Sequence, residues 1–87
     1  MKVKITDIYY IKGADETERV KVAYVVYFGT VRIVGQFFIS PYPIETLDDR
    51  VVPAVEEDLS TKKDVVQAVR DAAAAYVGQE IDVKDLL

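Results

Sequence analysis

Two strongly apolar stretches, Arg19 to Phe28 and Val31 to Ser40, stand on either side of Gly29-Thr30, and this arrangement constrains the fold more than any other feature of the chain. Glycine at the first position of a two-residue loop suits a type II′ hairpin turn, which needs positive φ there. That loop sets the pairing. Val20 faces Ile39, Val22 faces Phe37, Tyr24 faces Gly35, Val26 faces Ile33 and Phe28 faces Val31. All these positions share one face, and all but Gly35 are apolar or aromatic. A one-residue slip would turn the whole set to the other side, so turn chemistry and hydrophobic pattern specify the same register. Tyr24 is placed to lie across the bare Gly35, an aromatic covering of a weak strand position.

The same register fixes what the opposite face carries. Lys21 stands beside Phe38, Ala23 beside Gln36, Val25 beside Val34 and Tyr27 beside Arg32. A plain two-layer monomer keeps its outer face polar. This face is not polar.

Upstream, residues 2–12 alternate, with Val3, Ile5, Tyr9 and Ile11 on one side and Lys2, Lys4, Thr6 and Lys12 on the other. Asp7 interrupts the apolar side, while Ile8 and Tyr10 intrude on the polar one. Either a bulge lies near Asp7 or both faces of this strand are partly covered. Ile8 and Tyr10 are therefore expected to extend the second-face patch. Residues 13–18 form a polar loop.

Ser40-Pro41-Tyr42-Pro43 ends the sheet, because two prolines so close cannot sit in a paired central strand. Residues 41–59 are too many for a structureless loop in so small a domain. Pro43 and Pro53 can each start a short helix, with Ile44, Leu47 and Val51 on one stripe of the first; a short edge strand at 50–52 is the alternative. The spacing then predicts the main helix over 61–78. Thr61 and Asp64 resemble a capping box, and Val65, Val66, Val69, Ala72, Ala73, Tyr76 and Val77 make an apolar stripe. Gly78 suits a left-handed cap. In the tail, Ile81 and Val83 alternate before Leu86-Leu87, which suits a fourth strand or a last helical turn.

With 87 residues, the chain has room for one domain, spanning 1–87. It has neither cysteine nor histidine. That removes disulfides, thiolate metal sites, the commonest general base and every Ser/His/Asp or Cys/His arrangement. The four glycines are scattered and form no phosphate-binding fingerprint. The clusters Asp48-Asp49 and Glu56-Glu57-Asp58 lack calcium-loop spacing and read as solvated or helix-dipole acids. No metal and no cofactor is expected, and the chain reads as a non-enzyme. No apolar run approaches the roughly 20 residues of a membrane span, and no signal-like segment opens the chain. The expectation is a cytoplasmic protein that binds no membrane.

Net charge is −4, unevenly spread. Residues 1–40 carry six cations against four acids, and residues 41–87 carry five against eleven. Overall acidity argues against duplex nucleic acid as a partner. Aromatics beside Lys2, Lys4, Lys21 and Arg32 on the sheet allow single-stranded nucleic acid instead, stacked and steered. The acidic half allows mimicry of nucleic acid against a basic protein, although solubility explains such acids more simply.

The expected fold is α+β: a three-stranded antiparallel β-meander with a C-terminal α-helix packed on one face, and a short extra helix or strand within 43–59. The expected function is that of a small interaction or accessory protein, of a size that suits phage or mobile-element coding. Its candidate interface comprises Ile8, Tyr10, Ala23, Val25, Tyr27, Arg32, Val34 and Phe38, with a protein partner or homodimer expected there. The competing expectation is that residues 41–59 fold over this face, using Ile44, Leu47, Val51 and Val55.

Overall fold

A computed structural model describes residues 2–29 and 31–85. Three strands, β1 (Val3–Lys12), β2 (Glu18–Phe28) and β3 (Val31–Ile39), form an antiparallel sheet in the order β1-β2-β3. A 3-10 turn (Ile44–Thr46) leads into helix α1 (Leu47–Thr61) and then helix α2 (Lys63–Tyr76). The α+β meander expected from the sequence is the observed architecture.

The hairpin register is the expected one throughout, from Val20 opposite Ile39 to Phe28 opposite Val31, with Tyr24 opposite Gly35. Gly29 has φ +62°, the left-handed value that a tight hairpin turn needs from its first residue. Thr30, and with it the turn type, lies outside the described residues, as do Leu86 and Leu87.

On one sheet face Val20, Val22, Tyr24 and Val26 join Val55 of α1 in the core, with Val3, Phe37, Ile39, Leu47, Val51 and Leu59 packed around them. The helix that supplies the buried contact is thus α1, from the segment that the sequence left open between two short helices and a strand. It runs through Pro53 without ending. Proline there removes one backbone hydrogen bond, yet Leu47, Val51, Val55 and Leu59 still repeat at helical spacing toward the sheet. Packing of that stripe outweighs the lost bond.

Arg50 holds the entry to α1. Its Nε donates to Thr46 Oγ1 at 3.0 Å, and its two Nη atoms donate to the Ser40 and Pro43 carbonyls at 2.9 and 3.1 Å. One planar fork therefore satisfies acceptors on both sides of the buried Pro41.

Helix α2 starts later than the Thr61–Asp64 pattern implies. Thr61 belongs to α1 and its hydroxyl donates back to the Asp58 carbonyl at 2.6 Å, while α2 has no side-chain cap. Lys62 alone joins the two helices. Contact with β3 is present, but α2 has no buried residue. It ends as expected, with Gly78 at φ +85°. Residues 79–85 form neither strand nor helix. The radius of gyration is 17.6 Å, against the roughly 12 Å expected for a compact domain of this length.

Candidate functional site

Among the described residues the sheet face away from α1 has no element over it, and its composition follows from the two strand registers. Thr6 is an extra residue in β1: Ile5 pairs with Tyr24, and the next pairing is Asp7 with Ala23. A bulge of this kind moves everything beyond it to the other face. Ile8 and Tyr10 therefore stand opposite Val22 and Val20, on the helix side, and do not extend the second-face patch. Tyr9 and Ile11 take that place, opposite Lys21 and Arg19.

The open face thus brings together Tyr9, Ile11, Ala23, Val25, Tyr27, Val34 and Phe38 as its apolar and aromatic positions. Six of the eight residues proposed from sequence lie on it: Ala23, Val25, Tyr27, Arg32, Val34 and Phe38. Val25, on the central strand between Lys4 and Val34, is buried. Tyr27, Val34 and Phe38 are 55%, 60% and 48% exposed. Segment 41–59 does not cover them. Its Leu47, Val51 and Val55 pack on the opposite face, and Ile44 is exposed.

Charge frames this face. Lys4, Arg19, Lys21 and Arg32 share it with Asp7 as the one acid at a paired strand position. The Arg19 guanidinium lies 5.1 Å from the Phe38 ring centre, and Lys21 Nζ lies 5.4 Å from that of Tyr9. Each cation is attracted by the negative face of its ring. Sequence reasoning missed Tyr9 because the bulged Thr6 decides which side it occupies, whereas the side of Arg19 follows from the alternation it shares with Lys21.

The other polar groups hold the fold together. Tyr24 is fully buried, and its hydroxyl donates to Asp58 of α1, which also pairs with Lys62. Burial, and then the Asp58 carboxylate, push the Tyr24 phenol well above its ordinary range. Burial works to raise the Asp58 carboxyl, but hydrogen bonds from Lys62 and Tyr24 outweigh it and hold the group low. At the far end of the sheet Tyr42 and Tyr10 both hydrogen-bond Glu18, Tyr10 at 2.8 Å, which lowers that carboxyl. In each cluster the carboxylate has its partners within the protein.

Among the described residues no helix is long and apolar enough to cross a membrane. Comparison with protein-family models, with curated proteins and with solved structures finds no match.

Proposed function

We propose that this chain is a non-enzymatic interaction protein that binds a protein partner through the open sheet face, in the simplest case a second copy of itself. The observation that carries this reading is the exposure of Tyr27, Val34 and Phe38 on one sheet face, with no described element over them. Several such side chains make an apolar patch of a few hundred Å², the size at which exposed apolar surface begins to signal binding. An aromatic centre within a charged rim is also the anatomy of a protein interface. The lack of histidine and cysteine supports the non-enzymatic part of the reading, and a cysteine-free chain fits the cytoplasm.

Val34→Asp tests it. A charge there opposes burial against a partner, whereas an exposed site tolerates it. Light scattering should show the wild-type chain heavier than one protomer and the variant reduced to a monomer that still unfolds cooperatively. A monomeric wild type would reject the second copy as partner, and a variant that unfolds would show the face to be core and reject the reading.

A second reading has its own support. Cations interleaved with aromatics on an uncovered sheet are how single-stranded nucleic acid is stacked and steered. Against it stand the net charge of −4 and the occupation of the Tyr9 and Phe38 rings by the protein's own cations. A labelled single-stranded oligonucleotide bound at micromolar affinity, and released steeply by salt, would favour this reading.

A further inference from the structure

Among the described residues, α2 is a second apolar surface with little cover, touching its own protomer chiefly at β3 and α1. Its Val65 and Tyr76 are 58% and 62% exposed, and Val66, Val69 and Ala73 of the same stripe are only half-buried. We propose that the occupant of the open sheet face is α2 of a second copy, exchanged reciprocally so that each protomer's helix covers its partner's sheet. The proposal rests on the reading of that face as a protein interface, and it names the partner segment.

The chain cannot make this contact within one protomer. Helix α1 lies on the far side of the sheet, and α2 follows it through Lys62 alone. Packed layers lie roughly 10 Å apart, so passing from α1 round the sheet to its other face means crossing about 20 Å. One residue spans at most about 3.6 Å. In a second copy no such limit applies, and the radius of gyration of 17.6 Å shows an extended chain even though α2 touches β3 and α1.

Charge and shape both match. The open face carries Lys4, Arg19, Lys21 and Arg32 against Asp7. Residues 63–85 carry Lys63, Arg70 and Lys84 against Asp64, Asp71, Glu80, Asp82 and Asp85. Helix α2 itself is neutral, with Lys63 and Arg70 against Asp64 and Asp71, so the positive sheet meets the acidic tail that follows it. The run Ala72 to Ala75 presents small side chains, which let a helix approach the large Tyr9, Tyr27 and Phe38 rings closely.

Area favours exchange over one-way docking. A 14-residue helix is about 21 Å long and 10 Å across, a footprint of roughly 200 Å². One contact, counted on both sides, removes roughly 400 Å², far below the roughly 1,200 Å² of the smallest stable interfaces. Two reciprocal contacts reach roughly 800 Å² by the same footprint, and both tails, with Ile81 and Val83 exposed, can supply the rest. Reciprocity also closes the assembly at two chains, where one-way docking would propagate into fibres.

Because the chain has no cysteine, single-cysteine variants report contacts cleanly. Phe38→Cys and Val69→Cys chains, mixed and oxidised, should convert largely to the mixed disulfide dimer. Ile8→Cys, on the helix side, mixed with Val69→Cys should give little. Efficient linking of the Ile8 pair would place α2 on the other face and overturn the exchange. Phe38→Cys linking chiefly to itself would mean that two sheets stack face to face, which keeps the interface reading and rejects this proposal. A monomer by light scattering with no disulfide would reject the second copy as partner, and this proposal with it.

Discussion

The Tyr24 ring lies across Gly35 so closely that a β-carbon added to the glycine would stand 2.6 Å from Tyr24 Cε1. The glycine is therefore a seat for the ring, and the ring in turn carries its hydroxyl to Asp58 of α1. One cross-strand pair sets both the register of the hairpin and the anchorage of the helix.

Gly35→Ala should be costly in proportion. Tyr24 is fully buried and tied to Asp58, so it has no free direction in which to give way. Overpacking of this kind costs about 1–3 kcal/mol. Urea denaturation should show that loss with an unchanged m-value; a loss within error would mean that the ring is not held.

The Tyr24–Asp58–Lys62 cluster predicts the shape of stability against pH. An acid held low in the fold stabilises above its unfolded pKa, about 3.9 for Asp, and loses that contribution as pH falls through the lower folded value. A phenol held high contributes fully below about pH 10 and loses it as pH rises toward the folded value. Stability should therefore fall on both limbs. Tyr24→Phe should flatten the alkaline limb, and Asp58→Asn should flatten the acid one. Equal alkaline limbs in wild type and Tyr24→Phe would contradict the cluster.

Arg50→Lys should destabilise nearly as much as Arg50→Ala, because an ammonium cannot reach three acceptors arranged for a planar fork. A loss of about 1–2 kcal/mol is expected for bonds of this type at a partly exposed site. Full stability in the Lys variant would show that charge alone suffices.

Duplex DNA should not bind at physiological salt, since the chain carries −4 overall and only four of its 11 cations share the open face. A shift assay across a salt series checks this. Micromolar binding that weakens steeply with salt would move the open face toward nucleic acid.

The hairpin was legible because two independent signals, Gly29 and the alternation on both strands, specify one register. β1 was legible only in part. The pattern demanded an irregularity near Asp7, but a bulge at Thr6 puts Ile8 and Tyr10 on the helix side, and alternation alone does not say where phase is lost. Segment 47–61 was obscured by Pro53, which reads locally as a helix start and is carried in the middle of α1 by packing against the sheet. The stripe of α2 was plain in the sequence. Its lack of a buried residue was not, because periodicity shows that a face is apolar and not what covers it.

Hydroxyl-radical footprinting as a function of protein concentration tests the central claim most directly, that the open sheet face is buried against another protein chain. Tyr27 and Phe38 lie on that face, and Tyr42, similarly exposed, lies beyond the sheet. With a second copy as the partner, Tyr27 and Phe38 should be protected at high concentration and become reactive on dilution, while Tyr42 stays reactive throughout. Uniform reactivity of all three at every concentration would contradict self-association through this face.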